Sequence, residues 1–438
     1  MFEDPGSLAT AQLAQLVAAV GSLDRSVGDS ERIEQLRFLE ELKSAAAAAQ
    51  ARVTTDFVRS QEAEQSRLGV RQDEVGKGIA AQVALAKRES PARARRYVGW
   101  AKVLTDELPM TMEKLSCGHI SEWRAQIVAR ETAWLSRAHR ETVDREIAPH
   151  LEEWGDRRVE SETRKRAYRL DPHGFLARQR RAEKERTVTL RPAPDTMTYL
   201  TGLLPMAQGV AVIANLQRHA DSARAQGDER SRGQIMADTL VERVTGQATA
   251  DAVPVEVNLV MTDQTLMNAG DAKDEPVHLL GLGPLPAEVG RRLLLAADAS
   301  AESWVRRLYV DGGRLVAMDS RRREFGGALR KLIVLRDQVC RTPWCDAPVR
   351  HADHVVPADE GGPTSAENGQ GLCEACNYAK QAPGWNARAS GGAGHAVETT
   401  TPTGHRYRSR PPDPPRTRRL VRAEVQLREL AFEVGWAA

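Results

Sequence analysis

The sequence predicts an α+β protein with a predominantly helical N-terminal region, and three observations carry that prediction. From Ser30 to about Arg186 the chain is rich in Ala, Leu, Glu, Arg and Gln, with apolar residues at helical spacing and few strand-like runs. Beyond Arg186 it changes to short alternating runs punctuated by turn residues. Further on, four cysteines fall into two close pairs, Cys340 with Cys345 and Cys373 with Cys376. At 438 residues the chain exceeds one ordinary domain. The composition shifts divide it into a helical region over 1–186, an α+β continuation over 187–320, a small cysteine-bearing domain over 321–390, and a basic tail over 391–438 with a candidate hairpin and helix.

Ile33, Leu36, Phe38, Leu39 and Leu42 mark one face of a helix that runs on through the alanines towards Phe57. Ser90 before Pro91 is a cap followed by a first-turn proline, which opens a second, Arg-rich helix. Residues 79–86 and 91–100, with a short break between them, fit a helix-turn-helix that would turn Arg93, Arg95 and Arg96 to DNA. Two short helices packed on their neighbours fit equally, and the loose spacing favours this plainer reading. RTVTLRP and TMTYLTGLLP read as a hairpin turning near Pro194-Asp195, with helices over about 209–225 and 234–246 after it. Residues 255–261 alternate like a strand, and 304–309 with 314–318 flank an Asp311-Gly312-Gly313 turn. Residues 325–336 form a short helix with Leu329, Leu332, Ile333 and Leu335 for packing. Its Arg330, Lys331 and Arg336 are left outward, either to seat a DNA backbone or as a solvated face. Residues 397–407 read as a hairpin through Pro402-Thr403-Gly404; 391–394 and 411–415 read as linkers.

A net charge of +2 conceals local clustering. Residues 157–186 hold eleven basic against five acidic residues, 306–350 repeat that excess, and 406–422 hold seven against one. The last stretch suits a second nucleic-acid contact or a flexible arm. The N-terminus lacks the basic start and apolar core of a secretory signal, and no uncharged apolar run is long enough to span a bilayer. A cytoplasmic address with no membrane partner is the expectation. In a reducing compartment, paired cysteines indicate metal ligation rather than disulfides. Cys340-x4-Cys345 and Cys373-x2-Cys376 offer four thiolates to a tetrahedral Zn²⁺, a closed shell that staples the fold and leaves no position for substrate. Cys117 stands alone.

A second, independent pattern overlaps the cysteines. It comprises Asp353-His354-Val355-Val356-Pro357, a Gly361-Gly362 turn, Asn368 before Cys373, Asn377 directly after Cys376, and Lys380 one helical turn later. A carboxylate and an amide oxygen suit a single hard cation, Mg²⁺ or Mn²⁺, and an imidazole suits a general base. His351 is a secondary ligand, a phosphate contact or a solvent-exposed residue, the last being favoured. His395 and His405 lie outside the pattern and receive no role.

In these residues the chain resembles the HNH endonucleases. DHVVP is similar to the family's first motif, the placement of Asn368 to its second, and CEACNYAK to its third in the variant where Asn replaces the final His. The resemblance implies a ββα-metal (HNH, His-Me finger) nuclease domain over 321–390, a two-stranded hairpin packed on a helix around one divalent cation. It further implies that Asp353 and Asn377 bind the catalytic Mg²⁺ or Mn²⁺ and that His354 is the general base. Asn368 would brace the loop that orients the His354 ring, and Lys380 would touch phosphate. More widely, LPMAQGVAVIANL, ADTLVERV, GRLVAMDSRRR and ALRKLIVLRDQVCRTPWC resemble actinobacterial HNH proteins of the mycobacterial REP type, in which a long helical domain of unknown function precedes the nuclease. Many of those relatives carry a His-His pair and a terminal His where this chain has Asp353-His354 and Asn377, a difference that argues for metal preference rather than loss of activity. The expected function is metal-dependent hydrolysis of DNA phosphodiesters. The rival is a non-cleaving DNA-binding or regulatory protein with a zinc-stapled module, and RNA is a third substrate class. Oligomeric state and specificity are not written in the sequence.

Overall fold

The computed structural model describes residues 10–250, 259–260, 276–279, 283–298, 310–311, 314–315, 325–390 and 395–413. The N-terminal region is mostly helical, from Thr10–Gly21 to Pro172–Lys184, and the first strand is Thr187–Pro192. Compact grouping does not follow chain order: one unit joins Met1–Ser60 with Arg96–Leu176, the other joins Gln61–Arg95 with Ala177–Ala438. Among the described residues no helix is long and apolar enough to cross a membrane.

The first unit is built on helix packing. Leu104, Leu108, Leu115, Ile120, Ile127, Val128, Val143, Ile147 and Leu151 are fully buried. Ser121 and Ser136 cap the Glu122–Glu131 and Arg137–Ile147 helices by accepting from Arg124 N–H and His139 N–H, each at 3.3 Å. The buried Asp144 carboxylate accepts from the Met110 and Thr111 N–H groups at 2.8 and 3.0 Å, closing the exposed donors at the start of the Pro109–Ser116 helix. Burial nevertheless holds this carboxyl above the usual aspartate range. Arg140 donates to the Thr132, Ala133 and Leu135 carbonyls, just beyond the Glu122–Glu131 helix, and pairs with Glu107. The long Asp29–Arg67 helix departs from expectation at its start, where Ile33, Leu36, Phe38 and Leu42 are exposed. Its buried side begins at Ser44 and Ala48 and continues through Ala51 and Thr55 to Val58.

In the second unit the predicted hairpin is Thr187–Pro192 paired antiparallel with Thr198–Leu203, with Asp195 and Thr196 in the left-handed region at the turn. Two helices follow, Met206–Ala225 and Arg232–Thr245, the second opened by a Ser231/Gln234 capping box. Most of the strands expected over 255–261 and 304–318 lies outside the described residues; Leu259–Val260 pairs with Val277–Leu279, and Val310–Asp311 with Arg314–Leu315. The helices expected over 79–100 are Ile79–Lys87 and Pro91–Glu107, joined by a turn with Arg88 in the left-handed region. Ile79, Val83 and Leu85 are buried, while Arg93, Arg95 and Arg96 are exposed. Gly78 touches the cysteine-bearing domain: a side chain there would meet Trp385 Nε1 at 2.7 Å and the Ala382 methyl at 2.9 Å, and its φ of +77° also favours glycine.

That domain contains the helix Gly327–Asp337, the hairpin of His351–His354 with Gly369–Leu372, and the helix Glu374–Lys380. A three-stranded antiparallel sheet follows, ordered Asn386–Ser390, Ala396–Thr400, Arg406–Ser409. The predicted hairpin over 397–407 is therefore not part of a separate tail. Its first strand pairs with Asn386–Ser390 across the boundary expected at 390, and Val397 shares a core with Val355 and Ala387. Residues 391–394 and 414–438, where a linker and a tail helix were expected, are outside the described residues.

Candidate metal centre and nuclease site

The Gly327–Asp337 helix lies directly on the Gly369–Leu372 strand, and glycine permits the approach. A side chain at Gly369 would overlap Ile333 and meet Phe325 at 2.9 Å; one at Gly371 would meet Val349 at 2.8 Å. Phe325, Leu329, Leu332, Ile333 and Ala366 form the resulting core, whereas Leu335 is only partly buried. Arg336 does not face outward as expected. Its guanidinium donates to the carbonyls of Ala366 at 2.6 Å and Gly369 at 2.7 Å and pairs with Asp337, tying the helix to the strand end. Three fixed acceptors outweigh what solvation would return to that charge. Arg330 and Lys331 remain exposed, Arg330 donating to the Arg350 carbonyl at 3.2 Å.

The four thiols converge. Their sulfurs all lie within 4.8 Å of one another, with Cys345–Cys373 at 3.6 Å and Cys345–Cys376 at 3.7 Å. Four sulfurs held about 2.3 Å from a tetrahedral zinc sit about 3.8 Å apart, so the cluster fits that ion, and no disulfide links it. Cys373 also caps the Glu374–Lys380 helix, its sulfur accepting from Cys376 N–H at 3.4 Å. Hydrogen bonds from neighbouring thiols hold Cys373, and less strongly Cys340, below the ordinary thiol range.

Beside this cluster the hairpin brings His351 opposite Leu372, Asp353 opposite Gln370 and His354 opposite Gly369. His351 is partly buried. His354 is buried, its Nε2 lying 2.9 Å from Thr364 Oγ1 and its ring centroid 4.6 Å from that of Phe325. Its carbonyl accepts from Gln370 Nε2 at 3.3 Å and from the Lys380 ammonium. Lys380 pairs at the same time with Asp353 Oδ2 at 2.6 Å, so the ammonium expected to meet phosphate is held by the acid expected to bind metal. One turn earlier on that helix, Asn377 Oδ1 is buried with no hydrogen-bond partner. An orphaned amide oxygen beside a carboxylate is a donor set that fits a hard cation.

Asn368 is the hub of the intervening loop. Its Oδ1 accepts from Val356 N–H at 2.9 Å, while Nδ2 donates to the Val356 and Pro363 carbonyls at 3.0 and 2.9 Å. Gly362 completes the loop, since a side chain there would overlap the Val356 carbonyl and meet Asn368 Nδ2 at 2.7 Å.

Sequence reasoning missed several buried groups around the site. Asp337, fully buried, accepts from Gly371 N–H at 2.6 Å and pairs with Arg336 and with Arg341, the latter at 3.1 Å. Arg341 donates onward to the carbonyls of His395 at 2.9 Å and Ser409 at 3.0 Å. His395, given no role from sequence, is driven down to about 4 mainly by burial and accepts none of the solvent exposure expected of a loop histidine: its Nε2 lies 2.9 Å from the Glu367 carbonyl. Thr364 was missed as well; a threonine in a loop carries no spacing signal that links it to a histidine ten residues earlier.

A family model described as a domain of unknown function, DUF222, matches residues 36–337, and a model described as HNH endonuclease matches residues 338–382. No curated protein and no solved structure matches the chain. The first match spans more than half of the sequence, so the chain belongs to the DUF222 family, with an HNH endonuclease domain following the DUF222 region.

Proposed function

We propose that this DUF222-family chain is a metal-dependent endonuclease that hydrolyses DNA phosphodiesters at its HNH domain, with His354 as general base. The observation that carries the reading is the meeting of three motif residues at one place. Lys380 bonds both Asp353 and the His354 carbonyl, and Asn377, one turn away on the same helix, keeps a buried oxygen without a partner. In this reading Asp353 and Asn377 hold Mg²⁺ or Mn²⁺, which when bound supplies Lewis-acid stabilisation of charge on the phosphate and the departing 3′ oxygen. His354 takes the proton of the attacking water, the P–O3′ bond breaks, and a 5′ phosphate and a 3′ hydroxyl remain. Arg330 and Lys331, exposed on the neighbouring helix, serve the DNA backbone; Asn368 braces the loop. Four thiolates hold a structural Zn²⁺.

One observation favours the rival, a non-cleaving DNA-binding protein: Lys380 already neutralises Asp353. Plasmid cleavage decides between them. The full chain should nick DNA with added Mg²⁺ or Mn²⁺ and not in EDTA, and His354→Ala should lower the rate by about 10²–10⁴-fold with zinc content unchanged. Equal rates in the two proteins reject His354 as base. Tight gel-shift binding without cutting under any metal supports the rival.

A further inference from the structure

We infer that Thr364 is a positioning residue that selects the tautomer and ring angle of His354, leaving Nδ1 as the basic nitrogen. The purpose of this arrangement rests on the nuclease reading; the contact does not. His354 Nε2 and Thr364 Oγ1 are 2.9 Å apart, and both residues are more than nine-tenths buried. A neutral imidazole has one N–H and one lone pair, so the partner of one nitrogen decides the chemistry of the other. If Nε2 donates to the hydroxyl, Nδ1 holds the lone pair. That bond then survives when Nδ1 takes up a proton, because the imidazolium still donates from Nε2. A hydroxyl donating to Nε2 would have to turn round during the same step, in a buried site with little room to do so.

The hydroxyl is itself held in place. Asn368 ties the chain on both sides of the Gly361-Gly362 turn through the Val356 and Pro363 carbonyls, and Thr364 follows Pro363 directly. Phe325 covers the ring, its plane tilted 51° to the imidazole. The second-motif asparagine thus reaches His354 through Thr364, which converts a braced loop into a fixed imidazole.

The test uses the full, zinc-loaded chain labelled with ¹⁵N-histidine, read by long-range ¹H–¹⁵N correlations with the rings neutral and His354 assigned by comparison with His354→Gln. The wild type should show the Nε2–H tautomer. Thr364→Val, nearly isosteric, should show a mixture of tautomers and lose about tenfold in kcat at unchanged KM, the scale of one neutral hydrogen bond. Thr364→Ser should restore both readouts to within about twofold of wild type. Zinc content checks folding, and Thr364→Ala replaces the valine variant if that variant fails to hold the metal. An Nδ1–H tautomer in the wild type, or a valine variant with wild-type tautomer and kcat, overturns the inference. A wild type that cuts nothing while the valine variant still loses its tautomer would sink the nuclease reading and leave the role of Thr364 in place.

Discussion

The helical region and the cysteine-bearing domain bury charge for different ends. In the helical unit the buried ions finish helices: Asp144 receives the first N–H groups of one helix, and Arg140 feeds the carbonyls beyond another. Most of its remaining charge sits in exposed pairs one helical turn apart, such as Arg137–Glu141 and Arg67–Glu64. Around the hairpin, by contrast, Asp337 and Arg341 cross-link distant strands, a hydroxyl clamps the His354 ring, and Asn377 keeps an acceptor unused. Polar burial in the first region completes secondary structure. In the second it builds a site that needs something from outside to be complete.

Removing the metal staple should break this comparison most severely. Structural zinc contributes on the order of 10–16 kcal/mol of apparent binding free energy in small zinc domains. Cys373→Ser should therefore take zinc content from one per chain towards zero and abolish the hairpin's amide protection, while the helical circular dichroism of the first unit persists. Loss of both together would show that the two regions are not energetically distinct.

Next comes Asp337→Ala. It strips partners from Arg336 and Arg341, whose side chains are 10% and 2% exposed, and leaves an uncompensated buried cation. Breaking a pair of this kind costs about 3–5 kcal/mol, measurable by denaturant unfolding. Arg341→Met in the same background should recover part of that loss, because the unpaired charge is then gone.

A smaller effect should appear with pH. Burial holds His395 at about 4, below the ordinary histidine value near 6.5. Between those values the unfolded chain binds a proton that the folded chain refuses. The contribution is therefore complete above about 6.5 and is lost as pH falls towards 4. His395→Gln should flatten this acid-side decline relative to wild type at each pH, the thiolates being common to both proteins. Parallel melting curves would remove His395 from the account. Smallest of all, Arg137→Ala should leave the melting temperature unchanged, since an exposed pair in water is screened and loses side-chain entropy on forming.

What the sequence disclosed follows the same division. Helical spacing, the serine at 90, and the capping of hairpins by Pro, Asp and Gly are local signals, and they located the helices and the hairpin at 187–203. Cysteine spacing is nearly as local, and all four thiols meet. Two things were not legible. Periodicity identified the apolar face at Ile33, Leu36 and Phe38 but could not say whether anything covers it, and these residues are exposed. Charge was read as solvation at Arg336, which is tied down by carbonyls thirty or more residues away. The links of Arg341 to His395 and Ser409, and of Val355 to Val397, cross still longer separations, so a domain boundary drawn from composition at 390 divides one sheet.

The most direct measurement is diffraction from crystals of the full chain soaked in Mn²⁺, with anomalous scattering recorded on both sides of the manganese and zinc absorption edges. The account predicts a zinc peak among the four sulfurs and a separate manganese peak touching Asp353 and Asn377, with Lys380 released from the carboxylate. Manganese absent from that position at saturating concentration, with Lys380 still on Asp353, would contradict it.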